Sequence, residues 1–184
     1  FSFYWGDSQF NIDELVDLGV DPDRCFVVPI IVGPRLVVSR NDQSVNGDNF
    51  VFVGRVAPNK GVVGLVDMFD GICRMEPERQ STLTIVGMFD PDSLYGSQVA
   101  KAVEISGVAA RIRFTGKISD TERDQILTSA TAYLSLSEHE GFGVPLVEAA
   151  YLDLPVMALG RAATAETLGG HGVFESVSEL EAAV

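Results

Sequence analysis

The sequence predicts an α/β fold, a parallel sheet covered by helices on both faces, and three observations carry that expectation. From Phe50 onward, short apolar segments alternate with longer segments of helical length. The segment 130–136 opens with apolar and β-branched or aromatic residues that read as a buried strand. Glycine recurs at the ends of those runs, at Gly54, Gly87, Gly116 and Gly160. In open α/β sheets ligands bind at that end, the carboxyl end of the strands.

Taken in order, residues 8–18 carry apolar positions at Ile12, Leu15, Val16 and Leu18, which predicts a helix that Gly19 and Pro22 stop. Residues 25–32 form an apolar strand. Residues 33–48 turn polar and rich in Asn, Asp and Gly, an irregular loop and the best candidate for a boundary. Residues 1–47 therefore read as a helix, a strand and a linker leading into a domain over 48–184. There the order is strand 50–54, helix 60–75, strand 83–87, helix 92–106 and strand 112–116. Helix 120–129 follows, capped at Ser119 or Asp120, then strand 130–136 and helix 143–152. Strand 156–160, a short helix over 163–168, a short strand over 172–174 and a terminal helix over 177–183 complete the chain.

At 184 residues this is one good-sized domain with ample chain for a core. No apolar run approaches the roughly 20 residues that cross a bilayer, and no leader segment is visible. Cys25 and Cys73 have neither metal nor redox spacing; reduced thiols and a cytoplasmic setting are expected. Thirteen basic against 26 acidic residues give a net charge of −13, which argues against a nucleic-acid partner. A phosphate-bearing ligand would gain nothing from that field and must rely on a few well-placed cations.

Two stretches offer such a site. In the first, Glu140-Gly141-Phe142-Gly143-Val144-Pro145 joins a strand to a helix, with Pro145 in the first turn, where a missing N–H costs nothing. The amides of Gly143 and Val144 would lie at the helix N-terminus, a seat for an anion. Glu148 stands four residues after Val144 on the same helix face, and Glu140 approaches from the loop. Singly, Glu140 would be a helix cap and Glu148 a solvated side chain; their joint placement around a Gly-Phe-Gly turn points to a site. In the second stretch, 52–61, Arg55 follows a strand and Lys60 begins a helix. A cation there opposes the helix macrodipole by roughly 0.3–1 kcal/mol, a penalty that a bound anion turns into a gain. Arg55 adds a fork suited to phosphate oxygens. Singly, both would be solubilising charges.

Other signals are weaker. Asp21-Pro22-Asp23 and Asp90-Pro91-Asp92, with proline in the middle, read as turns rather than metal sites. His139 and His171 lack a second ligand at metal spacing, so no metal is expected. Ser137 has no His/Asp partner for a nucleophile triad.

Glu-Gly-Phe-Gly-Val-Pro-Leu-Val-Glu at 140–148 resembles the E-x7-E signature of the group 1 (family 4) retaining glycosyltransferases. Gly54-Arg55 with Lys60-Gly61 is similar to that family's Gly-Arg-x-x-x-x-Lys-Gly motif. The resemblance covers about 48–184 and implies the Rossmann-like, donor-binding C-terminal half of a GT-B fold. It implies that Arg55 and Lys60 neutralise the diphosphate of a nucleotide-sugar, helped by the Gly143 and Val144 amides. Glu148 would bind the ribose, Glu140 the hydroxyls of the transferred sugar, and backbone around Lys117 and Ile118 the base. Gly54, Gly141 and Phe142 belong to the turns that close on this donor, and no further cofactor is implied. The acceptor would be held by an N-terminal domain of the same protein, which residues 1–47 are too few to supply, and any peripheral membrane association would come only through that missing part. An excised donor domain of this kind would bind a nucleoside diphosphate without turnover. Rival readings are a glycoside hydrolase using Glu140 and Glu148 as acid and nucleophile, a non-catalytic nucleotide or nucleotide-sugar binding module, and a nucleotide-sugar epimerase or phosphorylase relative. Donor sugar, base and acceptor stay open.

Overall fold

The structure, a computed structural model, describes residues 2–33 and 47–184. The N-terminal part is a small unit of its own. Strands β1 (Tyr4–Gly6) and β2 (Cys25–Val27) pair in parallel, and helix α1 (Gln9–Asp17) crosses between them. Ser8 caps α1 by accepting from the Asn11 amide at 3.2 Å. Two features differ from the sequence-based expectation. Strand β1 was not predicted, because its three residues become a strand only through pairing with β2, about twenty residues on. The strand predicted over 25–32 ends at Val27, with one last bond from the Val28 amide to the Gly6 carbonyl at 2.8 Å; Val28, Ile30 and Ile31 are exposed. Most of the predicted boundary loop, 34–46, lies outside the described residues.

The main sheet has six parallel strands: β3 (Asn49–Val53), β4 (Thr82–Val86), β5 (Ile112–Gly116), β6 (Ala132–Ser135), β7 (Val156–Leu159) and β8 (Val173–Phe174). Their spatial order is β5-β4-β3-β6-β7-β8. The helices that follow them in turn are α2 (Val62–Met75), α3 (Leu94–Ile105), α4 (Asp120–Ser129), α5 (Val144–Tyr151), α6 (Thr164–Thr167) and α7 (Val177–Ala183).

Alternation along the strands divides the core between two faces. Phe50, Phe52, Leu83 and Ile85 pack with Leu65 and Phe69 of α2, Val99 of α3 and Leu180 of α7. Val51, Val86 and Tyr133 pack with Leu127 of α4 and Leu146 and Ala149 of α5. The helices thus cover both faces of the central strand β3, an unbroken apolar run after Asn49, whereas the edge strand β5 alternates, with Arg113 exposed between Ile112 and Phe114.

Helix α4 starts where its sequence says it should. Ser119 Oγ accepts from the Glu122 amide at 3.2 Å, and Glu122 Oε2 accepts from the Ser119 amide at 2.9 Å, a complete capping box. The hydroxyl and amide of Ser119 hold the Glu122 carboxyl below its ordinary range. Ser119→Ala is expected to cost about 1 kcal/mol, a fall in melting temperature of about 2–4 °C. A carboxyl with a lowered pKa contributes above its unfolded value, so the difference between wild type and variant should shrink as pH falls through the carboxylate range. Paired thermal melts at neutral and acid pH check both statements.

The chain enters the main sheet at β3 in its middle, runs outward through β4 to β5, and then crosses back to β6 on the other side of β3. The β3/β6 boundary is the topological switch point, where a crevice opens outside the carboxyl ends of the strands.

Candidate functional site

Both predicted motifs lie at that switch point, one on each side. After β3 the chain passes Gly54 and the exposed Arg55 and forms a single 3-10 turn, Pro58–Lys60. Lys60 closes this turn rather than opening the helix. Gly61 then takes a left-handed conformation (φ 61°) and caps α2, so the helix begins at Val62 and not at the predicted 60. A Cβ on Gly61 would lie 2.2 Å from the Leu136 carbonyl oxygen. Only glycine allows the post-β3 turn to come so close to the end of β6.

That approach joins the two motifs. The Glu138 amide donates to the Asn59 carbonyl at 2.9 Å, and Asn59 Nδ2 donates to the His139 carbonyl at 3.3 Å. Between these backbone links, Lys60 Nζ donates to Glu140 Oε1 at 2.6 Å. Their side chains are only 19% and 13% exposed, so this is not a loose surface pair. Glu140 is engaged with the lysine and not as a helix cap.

The turn that carries Glu140 is pinned from its far side by α6 and the residue before it. The Ala163 amide donates to the Glu140 carbonyl at 3.2 Å, and Thr167 Oγ1 donates to the Phe142 carbonyl at 2.5 Å. Gly141 sits against the N-terminal unit, where an added Cβ would reach Asn11 Nδ2 at 3.2 Å. Glu166 of α6 accepts from the Gln9 and Phe10 amides at 2.7 and 3.2 Å, and His139 lies 3.2 Å from Glu14, so α1 docks directly on this loop. His139 is thus a loop contact residue, as its lack of a second ligand suggests.

Gly143 (φ 79°) caps α5, and no side chain caps it in turn. The Leu146 amide returns to the Gly143 carbonyl at 2.9 Å. The amides of Gly143 and Val144 head the helix as its positive pole, with Pro145 contributing no donor. One turn further on, Glu148 is 5% exposed, which removes the reading of a solvated helix residue. Its Oε1 lies 3.7 Å from Arg123 Nη2.

Buried Tyr133 registers both carboxylates. Its hydroxyl donates to the Val53 carbonyl at 3.0 Å and accepts from the Val53 amide at 3.2 Å, bracing β6 to the end of β3. Burial pushes its pKa far above the ordinary phenol value, and the charges of Glu140 and Glu148 push the same way.

The third wall comes from β4 and β5. Gly87 (φ 139°) lets β4 pass against Gly54, and its amide donates to the Gly116 carbonyl at 3.2 Å. The Val56 amide donates to the Met88 carbonyl at 2.9 Å. The result is a cavity of about 210 Å³ lined by Gly54, Arg55, Lys117, Ile118, Asp120 and Arg123. It is smaller than the roughly 300–1,000 Å³ of a site that swallows a whole drug-sized ligand, so it would take one part of a larger molecule. Arg123 was missed at the level of sequence: flanked by Asp120 and Asp124, it reads as one more solvated helix charge. The two Asp-Pro-Asp segments are turns: Asp21 and Asp90 each accept, through Oδ1, from the amide two residues on, at 3.1 Å.

Of the predicted residues, Lys60 and Glu140 pair directly across the β3/β6 boundary, while Gly54, Arg55, Lys117 and Ile118 line one cavity with Arg123, which in turn lies beside Glu148.

Residues 39–173 match the family described as glycosyl transferases group 1. Among curated relatives, the mannosylfructose-phosphate synthase of Agrobacterium fabrum is 26% identical over 91% of this chain and 37% of its own length. The 2-deoxystreptamine glucosyltransferase of Streptomyces kanamyceticus is 31% identical over 89% of this chain and 40% of its own. The chain therefore spans about two fifths of these relatives. Among solved structures, Anabaena HepE in complex with UDP and glucose superposes with a TM-score of 0.80 at 20% identity, over 99% of this chain and 51% of that one.

Proposed function

This chain belongs to the group 1 glycosyl transferase family, and on that footing we propose that it is the donor-binding half of a retaining glycosyltransferase, holding a nucleoside-diphosphate sugar. One observation carries the reading: Lys60 from the β3 edge pairs with Glu140 from the β6 edge at 2.6 Å across the switch point, and the uncapped head of α5 and buried Glu148 follow Glu140 on the same strand-to-helix segment. The diphosphate lies between Arg55, Lys60 and the Gly143 and Val144 amides. Glu148 takes the ribose hydroxyls, Glu140 orients the transferred sugar, and backbone at Lys117 and Ile118 meets the base. Displacement of the nucleoside diphosphate from the anomeric carbon builds negative charge on the leaving phosphate, and preorganised cations and amides stabilise that charge. The acceptor is held by a separate N-terminal domain, so this chain alone binds without turning over.

The hydrolase reading fits less well. Each carboxylate faces a cation, Lys60 or Arg123, so neither has the apolar surroundings in which a glycosidase keeps its general acid. Isothermal titration of the chain with UDP, GDP and ADP tests the proposal. Saturable binding of at least one is expected, and no heat at millimolar nucleotide would overturn it.

A further inference from the structure

Among the described residues, Arg123 is the one whose buried side-chain donors are left without hydrogen-bond partners. Its Nε and Nη2 are both buried, and neither has a hydrogen-bond partner among the described residues. The side chain as a whole is 18% exposed and lines the same small cavity as Lys117 and Ile118. Three carboxylates surround the guanidinium: Asp120 at 3.2 Å and Glu148 at 3.7 Å from Nη2, and Asp124 at 3.6 Å from Nε. They neutralise its charge without closing its hydrogen bonds.

Those facts constrain the missing partner. Nε and Nη2 form the side-on edge of the guanidinium, two parallel N–H donors in fixed geometry, and the group has no acceptor of its own. The partner must therefore present two adjacent acceptors. An anion would fit the fork but would enter between three carboxylates, so the partner is a neutral two-acceptor edge. On the nucleotide reading, the nucleoside lies between Glu148 at the ribose and the Lys117–Ile118 turn at the base, which is where Arg123 stands. Guanine presents such an edge in O6 and N7, the pair that arginine reads bidentately. Adenine places an amine donor beside N7 and uracil places an N–H beside each carbonyl; cytosine, whose O2 and N3 are also adjacent acceptors, is the remaining competitor.

We propose that Arg123 is the base-selecting residue of this site and that the donor is a guanosine-diphosphate sugar, its O6 and N7 accepting from Nη2 and Nε. The inference rests on the nucleotide-binding reading above and deepens it. It is tested by calorimetry on the whole chain with GDP, UDP, ADP, CDP, inosine diphosphate, which keeps O6 and N7, and 7-deaza-GDP, which lacks N7. GDP should bind roughly 5- to 150-fold more tightly than UDP and ADP, and CDP binding as tightly as GDP would overturn the guanosine assignment. Inosine diphosphate should stay within about threefold of GDP, and 7-deaza-GDP should lose about tenfold or more. Arg123→Met also strips Glu148 of its cation, so it should weaken every nucleotide, but GDP by the further roughly 5- to 150-fold that brings it level with UDP. Equal binding of all bases, or equal weakening of all by Arg123→Met, would overturn the base assignment while leaving nucleotide binding intact. Binding of none would overturn both. The 7-deaza comparison uses the unmodified protein, so it decides even if the variant folds poorly.

Discussion

Lys60→Ala lowers the affinity for a nucleoside diphosphate by roughly 30- to 1,000-fold, and Glu140→Gln added beside it restores part of the loss. The first figure corresponds to about 2–4 kcal/mol, the range for truncating one partner of a buried charge pair at a binding surface. Two effects add. The cation is gone, and Glu140, mostly buried and 2.6 Å from the lost ammonium, is left with its charge uncompensated beside the place where an anion must sit. Neutralising Glu140 removes the second effect and not the first. Titration of the wild type, both single variants and the double variant completes a cycle whose interaction energy reports the pair. Glu140→Gln alone should change the affinity for a nucleoside diphosphate little, because that ligand carries no sugar. A Lys60→Ala variant within threefold of wild type would mean that the lysine does not hold the diphosphate, and strict additivity in the double would mean that Glu140 does not act on binding through the lysine.

The reach of the sequence follows from how local each cause is. Helix α4 and strand β5 have the predicted bounds because their signals are local: the Ser119/Glu122 box starts the helix, and Gly116 (φ 68°) ends the strand. Helix α7 is another case, with Ser176 accepting from the Glu179 amide. Strand β1 could not be seen, since nothing within Tyr4–Gly6 marks it apart from the partner it finds in β2. The start of α2 moved because Gly61 had to turn left-handed under the Leu136 carbonyl, a contact between residues 75 apart. In the site, types and motifs were legible but partners were not. Lys60 and Glu140 stand 80 residues apart and meet because the crossover from β5 to β6 sets their two edges side by side. Nothing near Glu140 in the chain distinguishes a cap from a partner of that lysine. Arg123 was hidden for the opposite reason: its acidic neighbours make it look solvated, while burial of Nε and Nη2 exists only in the folded chain.

Gly87→Ala should destabilise the domain by about 3–5 kcal/mol, a large part of the roughly 5–15 kcal/mol that holds a domain together. The position combines two demands that alanine cannot meet. Its φ of 139° lies where L side chains rarely go, which costs on the order of 1–3 kcal/mol by itself. An added Cβ would also stand 2.1 Å from the Gly54 carbonyl oxygen and 2.7 Å from its carbon, backbone atoms with no rotamer to escape into. Relief requires β3 and β4 to part where the Gly54 amide donates to the Val86 carbonyl at 2.8 Å, and that movement displaces Arg55 with it. The melting temperature should fall by roughly 10 °C, and nucleotide binding should weaken at temperatures where the variant is still folded. Two other glycines separate the contributions. Gly116 has φ 68° but open space around its would-be Cβ, so Gly116→Ala should cost only the left-handed strain, about 1–2 kcal/mol. Gly64 sits inside α2 with an ordinary 3.5 Å contact to Leu136 Cδ1, so Gly64→Ala should stabilise by about 0.5–1 kcal/mol. Thermal unfolding of the three variants should rank them Gly64→Ala above wild type, then Gly116→Ala, then Gly87→Ala. A Gly87→Ala protein that melts with Gly116→Ala would show that β3 and β4 do not press together at this seam, and the narrow wall they give the nucleotide cavity would go with it.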